Sequence, residues 1–113
     1  MTTDPAAGTN ANMFYYIGVI HFNKAQYDEA AKYYTRAIEI DDKHSFAYND
    51  RGSTYRMQEK YDLAIADYQK AIELNSRMDI FKENLGSAYR LNKDSKAVLL
   101  LNRYSMVHQA YFV

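Results

Sequence analysis

An all-α solenoid of stacked helical hairpins is the fold this sequence predicts, and three observations predict it. Gly18, Gly52 and Gly86 recur at a constant interval of 34 residues. Between them the apolar residues follow three-and-four spacing, the period of a helix buried on one face. The connectors Ala25-Gln26 and Glu59-Lys60 are too short for anything but an antiparallel return.

The interval holds well beyond the glycines. Tyr27-Asp28 recurs as Tyr61-Asp62, Ala30 as Ala64, Tyr34 as Tyr68, Ala37-Ile38-Glu39 as Ala71-Ile72-Glu73, and Tyr55 as Tyr89. Each unit reads as two helices. The first helices are placed at about 11–24, 45–58 and 79–92, and the second at 27–40, 61–74 and about 95–109, about six in all. In 27–40, Tyr27, Ala30, Ala31, Tyr34, Ala37, Ile38 and Ile40 make the apolar stripe, with Lys32, Arg36 and Glu39 opposite. Asp28 and Glu29 lie in the first turn, where negative charge suits the helix dipole. Asp41-Asp42-Lys43-His44 and Asn75-Ser76-Arg77-Met78 join one hairpin to the next with capping and turn-forming residues. Glycine in mid-helix costs up to ~1 kcal/mol against alanine. The glycines therefore mark places where a neighbouring helix comes close, with Ala30, Ala64, Ala37 and Ala71 making the same allowance. Tyr27, Tyr34, Tyr61 and Tyr68 fill the volume that remains.

This pattern resembles the tetratricopeptide repeat (TPR), which keeps a small residue at repeat position 8, an aromatic at 11, alanine at 20, an aromatic at 24 and alanine at 27. With repeats at 11–44, 45–78 and 79–112, the middle one fits best, through Gly52, Tyr55, Ala64, Tyr68 and Ala71. The first has Gly18, Ala30, Tyr34 and Ala37, with His21 in place of the aromatic at position 11. The proline usual at position 32 is replaced by Asp42 and Ser76. The third repeat is degenerate. Gly86 and Tyr89 fit, but Val98, Asn102 and Ser105 follow in direct register, whereas a one-residue deletion in the connector would bring Ala97 and Leu101 to positions 20 and 24. Both registers remain open. Residues 1–10 are read as a flexible segment ahead of a domain spanning 11–113.

The resemblance implies a right-handed superhelix whose concave face, lined by the first helix of each pair, binds a peptide or helix of a protein partner. Its groove positions carry over to Tyr15, Tyr16, Val19 and Phe22 in the first repeat, Asn49, Asp50 and Arg56 in the second, and Asn84 and Arg90 in the third. Asn49 and Asn84 can both donate to and accept from a ligand backbone. Arg56 and Arg90, 34 residues apart, suit an acidic side chain or a carboxylate, or else pair with Asp50 and Glu83 inside the groove. One branch of the family grips acidic chaperone tails with a carboxylate clamp of Lys, Asn and Arg. At the matching positions stand Tyr15, Val19, Asp50, Ile80 and Asn84. That mechanism is not expected here.

Other chemistry finds no support. Fourteen basic residues balance 14 acidic ones, so there is no general pull towards nucleic acid or anionic membrane. There is no cysteine, hence no thiolate catalysis or cysteine zinc site. His21, His44 and His108 are scattered, and no phosphate loop or nucleophile elbow occurs. The expectation is a protein without metal, cofactor or catalytic residues. The start lacks the basic and apolar regions of a signal peptide, and no run approaches a membrane span. A cytoplasmic chain is expected.

The last segment is unusually apolar. Ala97 to Leu101, Met106, Val107, Tyr111, Phe112 and Val113 stand where a solenoid needs a polar cap. Three arrangements answer this: packing on its own repeat, docking on or exchanging hairpins with a second copy as a homodimer, or continuation into a longer array. Leu99, Leu100 and Leu101 are the expected self-association contacts.

Overall fold

A computed structural model describes the backbone of residues 5–111 and the side chains of 8–103. Within these residues the regular structure is all helical: α1 (Pro5–Asn23), α2 (Tyr27–Ile40), α3 (Ser45–Met57), α4 (Tyr61–Leu74) and α5 (Asp79–Tyr111). α1 pairs with α2 and α3 with α4 as antiparallel hairpins, and α2 packs on α3 and α4 on α5.

α1 begins at Pro5, earlier than the start at 11 that the sequence predicts. Proline suits a first turn, where its missing N–H would have no helical partner, and Ala6 and Ala7 are strong helix formers. Residues 1–4 of the expected flexible segment lie outside the described residues.

The hairpin turns are built alike. Gln26 N–H donates to His21 O and Ala25 N–H to Phe22 O, both at 2.9 Å. One repeat on, Lys60 N–H donates to Tyr55 O at 2.8 Å and Glu59 N–H to Arg56 O at 2.9 Å. This double bond pattern closes a helix end on a left-handed residue. That residue is Ala25 (φ 58°) and Glu59 (φ 62°), where a side chain costs about 1–2 kcal/mol. The turns hold because the returning helix docks.

Docking runs through the glycines. A Cβ added at Gly18 would lie 2.7 Å from the Tyr34 ring, and one at Gly52 would lie 3.0 Å from the Tyr68 ring and 3.2 Å from Ala64 O. Tyr34, Tyr68, Ala30, Ala37, Ala47, Ala64, Ala71, Phe81 and Ala88 are buried. Tyr68 also carries a polar contact, its hydroxyl 2.7 Å from Ser53 Oγ. Small residues thus admit the rings, as the sequence predicts.

Polar ties cross from repeat to repeat. Gln58 Nε2 donates to Asp28 Oδ1 at 2.6 Å, and Asn92 Nδ2 to Asp62 Oδ1 at 3.1 Å, the same contact displaced by one repeat. The recurring aspartate therefore holds the adjacent hairpin as well as suiting its helix dipole.

The third unit differs from expectation. Instead of separate helices at 79–92 and about 95–109, one helix of 33 residues runs from Asp79 to Tyr111, so five helices stand where about six are predicted. Lys93, the counterpart of Ala25 and Glu59, is helical. The reason lies in the docking residues. Val98 replaces the alanine that permits close approach, and Asn102 replaces the tyrosine that fills the gap. With little to gain from a return, the strained turn is not made. Among the described residues nothing lies within 4 Å of a Cβ added at Gly86, so the close approach expected there is not made by any of them. The expectations for Met106, Val107, Tyr111, Phe112 and Val113 fall on side chains outside the described residues.

Candidate peptide-binding groove

The first helices of the three units, α1, α3 and the start of α5, are joined by a ladder of side chains. Tyr15 Oη donates to Asp50 Oδ2 at 2.5 Å. Asn49 Nδ2 donates to Asp50 Oδ1 at 2.9 Å. Asn84 Nδ2 donates to Asn49 Oδ1 at 3.0 Å. The ladder needs residues 35 apart, 15 with 50 and 49 with 84, plus the adjacent pair 49 and 50.

This places the predicted residues in two roles. Asn49 is only 6% exposed and its amide is engaged on both sides, so it fastens the groove floor rather than reaching a ligand backbone as expected. Asn84 is half-buried, with one amide hydrogen committed to Asn49. Tyr15 is half-buried too, its ring 5.7 Å from Tyr34 and 4.9 Å from His44. His44 caps α3, its Nδ1 accepting from Ala47 N–H at 3.1 Å, and its Nε2 lies 2.9 Å from Asn12 Oδ1.

Beside the ladder, between α1 and α3, opens a cleft of about 270 Å³ lined by Val19, Phe22, Asn23, Tyr34, Asp50, Ser53 and Arg56. Val19, Phe22, Asp50 and Arg56, named from the repeat positions, all lie along this one cleft. Tyr34, read from the sequence as filler between helices, also forms part of this wall. Tyr16 stands 62% exposed beside Tyr15, ring centroids 5.2 Å apart. Arg90 is exposed on α5 and is not part of this cleft. Asp50 is bound by Tyr15 and Asn49, and among the described residues neither Arg56 with Asp50 nor Arg90 with Glu83 forms an ion pair.

Burial sets the electrostatics. Desolvation pushes the Asp50 carboxyl above its ordinary value, although the bonds from Tyr15 and Asn49 and the nearby His44 pull it down. The Tyr15 hydroxyl is raised first by burial and then by its bond to Asp50; burial raises Tyr34 and Tyr68 as well. Asp50 gives a pH signature. The folded chain keeps a proton on this group at a pH where the unfolded chain has released it. The resulting stability is complete below the ordinary aspartate range, near ~3.9, and is lost as pH rises through the raised value. Urea midpoints measured from pH 3.5 upward should show this decline in the wild type and lack that component in Asp50→Asn. Matching profiles would exclude Asp50 as its source.

A larger concavity of about 540 Å³, lined by Phe14, Asp28, Ala31, Lys32, Tyr33, Thr35, Arg36 and Glu39, is built from the first hairpin alone and crosses no repeat junction. Among the described residues no cluster of His, Cys, Asp and Glu has the arrangement of a metal site, and no helix is long and apolar enough to cross a membrane.

Stacked helical hairpins whose first helices share one walled groove define a solenoid-type protein-interaction module. The chain belongs to the tetratricopeptide-repeat family, whose sequence profile matches residues 11–44 and 45–78. No curated relative matches it. Among solved structures it is similar to the second TPR of Spaghetti (RPAP3) bound to the HSP90 peptide SRMEEVD, at 26% identity and a TM-score of 0.72, covering 83% of this chain and 94% of that one. It is similar in fold to the TPR2B domain of yeast Sti1 in its pHsp70 complex, at 24% identity and a TM-score of 0.74, covering 80% and 73%. The Arabidopsis OM64 TPR domain also shares the fold, at 18% identity and a TM-score of 0.75, covering 89% and 84%.

Proposed function

We propose that this chain is an adaptor that binds an extended or helical segment of a protein partner in the groove between α1 and α3, with Tyr16, Val19, Phe22 and Arg56 as its contacts. The observation that carries this reading is the cleft beside the ladder: apolar walls from Val19 and Phe22, with Arg56 available at one side. An apolar anchor of the ligand fits between Val19 and Phe22, while an acidic or carbonyl group meets the guanidinium. Arg90 extends the same chemistry along α5.

The ligand differs from the acidic tail in the Spaghetti complex. A carboxylate clamp needs cations around the terminal carboxylate, and here Tyr15 and Asp50 occupy that part of the groove, tied to each other. The peptide SRMEEVD is therefore expected to bind no more tightly than a scrambled control.

Peptides selected from a random library on the intact chain provide the test. Tyr16→Ala with Arg56→Ala, two side chains with no hydrogen-bonding role in the ladder, should weaken the selected peptides at least tenfold, the scale of interface anchors. Nuclear magnetic resonance shifts should cluster at Val19, Phe22 and Ser53. Undiminished binding by the double variant, or shifts confined to the far side of α2, would rule the groove out.

A further inference from the structure

One face of each later first helix receives the hairpin before it. On α3 that face holds Ala47, Asp50, Arg51 and Thr54, and on α5 Phe81, Asn84, Leu85 and Ala88. α2 packs on the one and α4 on the other, and Ala47, Thr54, Phe81 and Ala88 are wholly buried. Gln58 bonds Asp28 and Arg51 bonds Thr35, joining the end of α3 to the start of α2, so the covering helix runs antiparallel.

One interval earlier the same positions on α1 are Met13, Tyr16, Ile17 and Ile20. Among the described residues no helix takes the place that α2 has on α3. Met13, Tyr16 and Ile20 are exposed and Ile17 is half-buried. At 3.6 residues per turn the four lie within about 100° of one another, one apolar stripe along the helix. From Pro5 to Asn23, moreover, α1 contains no Asp, Glu, Lys or Arg.

The chain itself limits what can cover this stripe in a second copy. α2 and α4, the helices that cover such a face, are already in use. The far half of α5 is free, but the interval sets Lys96 where Asp28 and Asp62 stand, and Lys24 where Gln58 and Asn92 stand. Copies stacked end to end would oppose lysine to lysine. The exposed leucines of α5, Leu99, Leu100 and Leu101, are consecutive and so about 100° apart around the axis; no one partner helix covers all three. A second α1 brings neither difficulty, being apolar along the stripe and uncharged throughout.

We propose that two copies of the chain pair through α1, antiparallel about a two-fold axis that passes between residues 16 and 17. Met13 and Ile20 are equally distant from that axis, so Met13 of each copy faces Ile20 of the other. Tyr16 and Ile17 of both copies meet beside the axis. The stripe thus matches itself end for end, as an isologous contact that closes at two chains requires. The partner's helix takes the place and the direction that α2 has on α3. Tyr16 borders the peptide groove as well, whereas Met13 and Ile20 belong to this surface alone. Variants at those two positions therefore separate pairing from peptide binding.

Light scattering and sedimentation of the full chain from 1 to 200 µM should show a dimer, against 13.2 kDa for one chain, that dissociates on dilution. Met13→Gln with Ile20→Gln changes two side chains that the single chain leaves exposed. It should raise the dissociation constant tenfold or more with helicity unchanged. A mixture of isotope-labelled and unlabelled wild-type chains supplies a second measure. Isotope-filtered nuclear Overhauser spectra should place Met13 of one copy beside Ile20 of the other. Within one chain these residues are about 10 Å apart along α1, so the cross-peak reports a second copy. A monomer at every concentration overturns the proposal. So does a dimer that lacks this cross-peak or survives the double variant. A dimer dissolved instead by Leu99→Lys with Leu101→Lys overturns it as well, and would place the contact on α5.

Discussion

Tyr68→Ala is expected to destabilise the chain by about 3–5 kcal/mol, the range for deleting a buried aromatic side chain. Tyr68 is fully buried, and its ring lies against Gly52 in α3. It also stands in one cluster with Ala64 and with Ala88 of α5. The ring therefore serves both the closure of the second hairpin and the seating of the third unit on it. Its removal opens a cavity bordered by Gly52, Ala64 and Ala88, side chains too short to fill it, with Tyr55, Ile65 and Leu85 packed at its edge. The hydroxyl bond to Ser53 is lost as well. Domains of this size hold only about 5–15 kcal/mol in total, so the loss is a large fraction. Urea denaturation followed by circular dichroism measures it. Tyr89→Ala is the control, because Tyr89 is 48% exposed and its hydroxyl accepts from Gln69 Nε2 at the exposed surface; its cost should stay below about 1 kcal/mol. Equal costs for the two would mean that the helices are not held through the glycine-facing ring.

The second large effect belongs to an ion pair. Arg51 Nε donates to Asp67 Oδ2 at 2.7 Å and its Nη2 to Asp67 Oδ1 at 2.8 Å, with Nη1 reaching Thr35 Oγ1 at 3.2 Å. The guanidinium also lies 5.7 Å from the ring centres of both Tyr48 and Tyr55. Side-chain exposure is 18% for Arg51 and 8% for Asp67. Asp67→Ala strands the cation among aromatic rings and should cost about 3 kcal/mol, the lower end for breaking a buried pair because Arg51 keeps some access to water. Replacing both partners, Arg51→Met with Asp67→Leu, should recover most of that loss, since no charge is then left without its partner. The repeat itself contains such replacements: the corresponding positions hold Ile17 and Tyr33 in the first unit, and Leu85 and Leu101 in the third. If the double variant proves less stable than Asp67→Ala alone, the pair contributes more than mutual neutralisation, and the three positions are not equivalent.

The hairpins were legible because their signals are local. Three-and-four spacing over 27–40 and 61–74 corresponds residue for residue to α2 and α4, and Gly18 and Gly52 lie against the tyrosines the interval assigns to them. The ladder was half legible. Tyr15, Asp50, Asn49 and Asn84 could be named from repeat positions, but not that they would bond each other. A hydrogen bond between residues 35 apart depends on how two units dock, and polar residues in sequence carry no mark of their partner. The ties from Gln58 to Asp28 and from Asn92 to Asp62 were missed although they recur. Their recurrence in the sequence, Gln then Asn and Asp then Asp, was the available signal.

What the sequence by itself determined is the module: its 34-residue period, its helix faces, and the small residues that admit a tyrosine ring. These follow from steric fit and from amphipathic spacing, which each stretch of chain carries within itself. Only the tertiary structure decided how many helices close and which polar groups join the units. Whether Lys93 turns or stays helical depends on the balance between an αL residue and the docking that follows it, and Val98 and Asn102 tip that balance towards a straight helix. Such a balance is a comparison between packed states, and no single segment records its outcome.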